Sequence, residues 1–208
     1  MPPHSPSPYN LSFTAASLRP ELMRIAAEAF LASSDWDVAK DHILSTNAFQ
    51  CRTSSSASRL ESELRQRLQL LTLPQLTLLA GAPEEDRAAM SWLAVCKRSS
   101  FMFDFVSGVL RDKLAAHDPV LRLSDYESYL ELQTAAHPSL GSVTASSKVK
   151  IRQVLFRMLG ESGLISPQRL ASQIHRPVLS PAALHAVLTD DPKWLAGFLV
   201  PDHEIPRP

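Results

Sequence analysis

Helix-start signals recur along this chain and constrain its fold more than any other feature. Asp35 stands before Trp36 and Thr72 closely before Pro74, and Ser166-Pro167, Ser180-Pro181 and Asp191-Pro192 repeat the pattern. A short polar side chain caps the free N–H groups of a first turn. Proline at the first helical position sacrifices no hydrogen bond, because that N–H has no helical partner. Ser124-Asp125-Tyr126-Glu127 reads as a capping box, with Glu127 three residues beyond Ser124. Apolar residues follow at helical spacing: Leu22, Ile25, Ala26, Ala29 and Phe30, then Ala57, Leu60, Leu64, Leu68 and Leu71, then Ile151, Val154, Leu155 and Met158. Six glycines against sixteen prolines suit helices joined by short turns better than a sheet of hairpins.

The pattern predicts helices near 20–32, 35–44, 54–71, 74–80, 84–97, 99–116, 125–136 and 146–159, then shorter ones near 181–189 and 192–198. Strands are allowed only at Leu164-Ile165 and Ile174 to Leu179, as one short β-hairpin around a turn-rich segment. The expected fold class is therefore all-α. A multi-helix bundle over 9–136 is followed by a smaller helix-turn or winged-helix-like unit over 148–200. The uncharged run Gln133 to Ser147 supplies the linker, placed at 137–147, and the proline-rich ends 1–8 and 201–208 read as disordered tails.

Several function classes find no residues to support them. Cys51 and Cys96 lie far apart with no Cys or His at metal spacing, which fits a reducing cytoplasm and excludes a disulfide scaffold. The seven histidines form no HExxH or HxH, so no metal is expected. GxGxxG, GxxxxGK[ST] and GxSxG are absent, so neither a nucleotide cofactor nor an esterase-type nucleophile is expected. Cys96, in an apolar run ending in Lys97-Arg98, reads as buried and structural, and Trp36 and Trp92 as core. The stretch Leu68 to Pro83 falls short of the ~20 apolar residues a membrane span needs, and Met1 to Pro8 lacks the makings of a secretory signal. The expectation is a cytoplasmic protein with no catalytic residues, no small-molecule cofactor and no membrane partner.

Charge is the feature that points to a partner. Lys and Arg number 21, as do Asp and Glu, but the zero net charge conceals alternation. Residues 45–67 and 97–113 are each +2 and 148–157 are +4, while 1–44 and 68–96 are each −2 and 114–147 are −3. In the last basic block, Lys150 and Arg157 fall on one flank of the apolar stripe and Lys148 and Arg152 on the other, with no carboxylate in the block. Such a helix can place charge along phosphates, or its cations can pair with the acidic block before it. In Cys51-Arg52-Thr53-Ser54-Ser55-Ser56-Ala57-Ser58-Arg59, the hydroxyls around Ser55, with Arg52 and Arg59, can form an anion site at a helix start. They can equally do no more than cap it.

At these positions the chain resembles a known family. Tyr9-Asn10-Leu11-Ser12-Phe13-Thr14-Ala15, Trp36-Asp37 and Arg52-Thr53-Ser54-Ser55-Ser56 resemble signatures of the BrxA family of BREX bacteriophage-defence systems. So do Trp92-Leu93-Ala94-Val95-Cys96-Lys97-Arg98, Leu123-Ser124-Asp125-Tyr126 and Lys150-Ile151-Arg152-Gln153-Val154-Leu155-Phe156-Arg157-Met158-Leu159. The resemblance runs in order from about 9 to 200; the Pro-rich N-terminal tail departs from it. It implies an all-helical bacterial protein, likened to the RNA-binding antitermination factor NusB, that binds DNA and has no known enzymatic activity. Arg52, Arg59, Lys97, Arg98, Lys150, Arg152 and Arg157 match basic family positions.

Residues and resemblance together give the expectation of a non-catalytic double-stranded-DNA-binding component working with other BREX subunits. The expected contacts are Arg52, Ser55, Arg59, Lys97, Arg98, Lys148, Lys150, Arg152 and Arg157. An RNA-binding helical module and a protein-interaction scaffold in the same assembly remain as alternatives.

Overall fold

A computed structural model describes Tyr9, residues 11–167 and residues 171–206; the expected tail at 1–8 lies outside the described residues. The fold is all-α with one small sheet. Its first five helices are α1 (Pro20–Ser33), α2 (Trp36–Ser45), α3 (Ser54–Leu68), α4 (Leu73–Gly81) and α5 (Glu84–Arg98). A long helix follows as α6 (Ser100–Asp104), a π-helical turn (Phe105–Leu110) and α7 (Arg111–Ala115). Then come β1 (Val120–Leu121), α8 (Leu123–Ala136), α9 (Pro138–Gly141), α10 (Ala145–Glu161), β2 (Ile165–Pro167), β3 (Ser172–Ile174) and α11 (Pro181–Leu188). Short 3₁₀ turns occupy Ser12–Ala15, Pro192–Phe198 and Asp202–Glu204.

The caps place most of these helices. Asp35 Oδ1 accepts the N–H groups of Asp37 at 2.7 Å and Val38 at 3.2 Å, and Ser180 Oγ accepts that of Ala183 at 3.1 Å. Two start signals resolve differently. At α8 the reciprocal contact runs from the Arg122 N–H to Asp125 Oδ2 at 2.6 Å, because the helix begins at Leu123 and leaves Ser124 inside the first turn. Ser166-Pro167 ends β2 rather than opening a helix; β2 lies at the sheet edge, where a proline disrupts no ladder.

The sheet runs β1-β3-β2, antiparallel throughout, with Val120 opposite Gln173 and Ile165 opposite Ile174. The hairpin is the one allowed from sequence, displaced so that 175–179 carry no strand. β1 is the unexpected member. The segment 137–147 holds α9 and Thr144, the N-cap of α10, with Leu140 buried. Residues 201–206 carry the last 3₁₀ turn, from which Asp202 pairs with Arg111 and Glu204 accepts from Arg176 Nη1 at 3.0 Å.

Among the described residues, buried apolar side chains from Phe13 to Val200 form one core. Trp92 lies inside it and donates Nε1–H to Gly197 O at 2.8 Å, while Trp36 stacks on Phe30 with ring centroids 4.1 Å apart. An aromatic chain ties α6 to α8 and α10. Phe101 meets Tyr129 edge-on at 5.2 Å, Phe105 meets both Tyr129 and Tyr126, and Tyr126 meets Phe156 at 6.2 Å.

The least expected core member is charged. Arg67 is wholly buried on α3 and donates Nε–H to Glu63 Oε1 at 2.9 Å. Its other nitrogens donate to the carbonyls of Ser17 at 2.8 Å, Ala16 at 3.0 Å and Phe13 at 3.4 Å. Removing one partner of a buried pair leaves the other charge uncompensated, which costs about 3–5 kcal/mol. Arg67→Ala is therefore expected to lower the unfolding free energy by about 3–5 kcal/mol in urea titrations. A loss under about 1 kcal/mol, the scale of an exposed ion pair, would show that the guanidinium does not hold this junction.

Candidate nucleic-acid interface

The structure divides the basic residues into those engaged within the fold and those facing outward. The block 97–113 is engaged. Lys97, at the end of α5, has its side chain only 7% exposed; Nζ lies 2.7 Å from Asp190 Oδ2 and donates to Leu70 O and Gln75 Oε1. Arg98 donates to Gln66 Oε1 on α3, and its Nε is buried without a hydrogen-bond partner among the described residues. Arg111 pairs with Asp202, and Lys113 Nζ lies 2.8 Å from Asp118 and 3.1 Å from Asp125.

The block 45–67 splits. Arg67 is core, and Arg65 pairs at 2.9 Å with the buried Glu61, whose carboxyl burial pushes above its ordinary range. Arg52, Ser55 and Arg59 are exposed, and neither arginine has an ion pair among the described residues. They surround the start of α3, where Thr53 Oγ1 accepts the Ser56 N–H at 3.1 Å, so the hydroxyl run does cap the helix. The loop before it is fixed by Asn47, left-handed at φ 50°, whose side-chain amide donates to Cys51 O and accepts the Cys51 N–H at 3.0 Å. A cleft of about 570 Å³ between the end of α2 and the start of α3 is lined by Ser45, Asn47, Arg52, Ser54 and Ser58.

The α10 block is the least compensated. Thr144 caps the helix by accepting the Ser147 N–H, and Ile151, Leu155, Met158 and Leu159 turn into the core. Lys150 and Arg157 are exposed and Lys148 and Arg152 half-buried, and none of the four has an ion pair among the described residues. Of the acidic block before α10, Asp118 and Asp125 are held by Lys113, and Asp118 also by Arg122, while Glu127 and Glu131 are exposed and pair with none of the four among the described residues. Arg152 faces Tyr126: burial pushes that phenol up to about 12, and the nearby guanidinium pulls against the shift. Val149 and Gln153 complete the exposed stripe of α10. They carry no charge, so block arithmetic passes over them, although the helical wheel that places Lys150 places them too.

The C-terminal ends of α3 and α10 meet at the segment 13–18, through Arg67 on one side and Glu161 on the other, which accepts the Leu18 N–H at 2.6 Å. Arg98 joins the α3 end through Gln66. It therefore sits roughly 20 Å along α3 from Arg52, at 1.5 Å per residue, so Arg98 and Arg52 do not share one patch. Among the described residues no three His, Cys, Asp or Glu are grouped to hold a metal, and no helix is long and apolar enough to cross a membrane. Cys96 is fully buried, which pushes its thiol well above the ordinary value.

These features define an all-α protein with a small antiparallel sheet and an outward-facing basic helix whose four cations have no ion pair among the described residues. The chain belongs to the BrxA family, whose model matches residues 7–190. It is 27% identical over 146 residues to the BREX protein BrxA of Escherichia coli, covering 70% of this chain and 68% of that one. It is 24% identical to the BREX protein BrxA of Bacillus cereus, covering 68% and 70%, and 24% identical to that of Paramagnetospirillum magneticum, covering 77% and 81%. The fold matches the crystal structure of an uncharacterized protein from Magnetospirillum magneticum with a TM-score of 0.81 at 20% identity, over 92% of this chain and 97% of that one.

The engaged cations give a pH signature. Hydrogen bonds from Arg122 and then Lys113 hold Asp118 down at about 2, below the ordinary 3.8. A depressed carboxylate stabilises the fold above its unfolded pKa, and that stability is lost as pH falls toward the folded value. Asp118→Asn is expected to have a lower urea midpoint than the parent at neutral pH, with the gap closing between about pH 4 and pH 2. A gap constant across that window would mean that the carboxylate charge is not what the two cations hold.

Proposed function

We propose that this protein is a non-catalytic double-stranded-DNA-binding component of a BREX phage-defence system, acting in the cytoplasm with other BREX subunits. The observation that carries the reading is α10: four cations without ion pairs among the described residues, on a helix whose opposite face is locked in the core. Lys148, Lys150, Arg152 and Arg157 contact phosphate oxygens along the duplex, which gives affinity with little dependence on sequence. Arg52, Ser55 and Arg59 form a second, smaller contact at the start of α3. Lys97 and Arg98, which are engaged with neighbouring side chains, carry less of the contact.

The topology favours the same reading. A helix ending at Ala115, then β1, α8, α10 and the β2–β3 hairpin, with strand order β1-β3-β2, is the arrangement of a winged helix. In that arrangement the helix before the hairpin is the one laid against DNA, as the second helix is in helix-turn-helix proteins. The BREX assembly is inferred from the relatives named BREX protein BrxA.

Changing Lys150, Arg152 and Arg157 together to Glu is expected to abolish mobility shifts of duplex DNA near physiological salt. Milder replacement by Gln should reduce the slope of log K against log salt by about 2.7, about 0.9 for each phosphate no longer neutralised. Arg52→Gln with Arg59→Gln should reduce it by at most about 1.8. Binding unchanged across the salt series would remove α10 from the interface. Preference for duplex RNA in competition would move the reading to an RNA-binding module.

A further inference from the structure

Not every exposed residue of α10 suits a phosphate. Its outward stripe runs Val149, Lys150, Gln153 and Arg157, at the helical spacing that puts them on one face opposite Ile151, Leu155 and Met158. Val149 is an apolar side chain left 43% exposed, and Gln153 is exposed with no side-chain hydrogen bond among the described residues. Neither residue adds to a purely electrostatic surface: one has no charge and no polar group, the other a neutral amide.

Both have a use inside a major groove. There adenine presents N7 as acceptor and N6–H as donor, a pair that a glutamine amide matches with two hydrogen bonds, and thymine presents an exposed methyl group. Lys150 and Arg157, on either side of Gln153, can reach guanine O6 and N7 or the phosphates that border the groove. The half-buried Lys148 and Arg152 lie on the other flank, where they can meet phosphates alone. The helix is held for such a role by the Tyr126–Phe156 contact and by the aliphatic face it buries.

We propose that the outward stripe of α10 lies in the major groove of duplex DNA and reads base edges, with Gln153 on an adenine and Val149 on a thymine methyl. This inference rests on the DNA-binding reading and adds to it a modest A·T preference over the phosphate contacts. The wild-type protein and Gln153→Ala are each used to enrich bound duplexes from a randomised pool at moderate salt. The wild type is expected to enrich a short motif with an adenine at one position by about tenfold, the discrimination of one good bidentate contact. Gln153→Ala should bind the unselected pool nearly as well and lose that adenine. Replacing the selected adenine by 7-deazaadenine, which lacks the N7 acceptor, should weaken the wild type and leave the variant unaffected. Wild-type binding without enrichment, or the same motif from both proteins, overturns the base-reading role while leaving DNA binding intact. No binding of any duplex by the wild type overturns both readings. Because Gln153 is exposed, the variant's thermal unfolding should match the parent's.

Discussion

The buried guanidinium of Arg67 is the interaction on which the arrangement of the helices depends. A charge taken fully out of water is tolerable only when its donors all find partners. Arg67 has Glu63 on its own helix and three carbonyls from the segment 13–17. That set can form in one placement of the segment across α3. The next residue, Leu18, gives its N–H to Glu161 at the end of α10. One short stretch of chain thus fixes the C-terminal ends of two helices, α3 and α10, that carry the uncompensated cations. Apolar residues of matching volume at Arg67 and Glu63 would supply cohesion without this directional hold.

The same physics sorts the remaining cations. An ammonium or guanidinium drawn out of water needs a carboxylate or carbonyl close by, and Lys97 finds Asp190, Leu70 O and Gln75 Oε1 together. Lys113 finds two aspartates. Because Asp118 and Asp125 are held there, α10 faces water without them, although they lie in the acidic block that precedes it. The neutral average of the whole chain therefore coexists with a helix face that is strongly positive at its own surface.

Most helices were legible because capping chemistry and apolar stripes are local. Asp35, Ser180 and Asp191 each place a first turn within a few residues of themselves, and the stripe Ile151, Leu155, Met158 tells which face of α10 is buried. The exposure of Lys150 and Arg157 followed from that stripe alone. Strand β1 was not legible, since two residues carry no periodicity and their pairing is set by β3, far along the chain. Nor could the blocks reveal that Lys97 and Arg67 are engaged. Their partners, Asp190 and the carbonyls of 13–17, come close only once the chain has folded. Net charge over a window counts such a residue and an exposed one alike.

The β1–β3 pairing also bears on how firmly α10 is presented. β1 precedes α8 and β3 follows α10, so both helices are tied to one sheet, and the turn between them, with Leu140 of α9 buried, has little freedom. Tyr126 on α8 meets Phe156 edge-on and faces Arg152, which fixes the roll of α10 about its axis as well as its direction. A helix held in direction and roll presents its side chains without first giving up backbone freedom, and that loss is a large part of what association costs. Rigidity of this kind adds nothing to phosphate contacts made by flexible lysines. It matters for a neutral amide such as Gln153, because a pair of amide hydrogen bonds forms only within a narrow range of distance and angle.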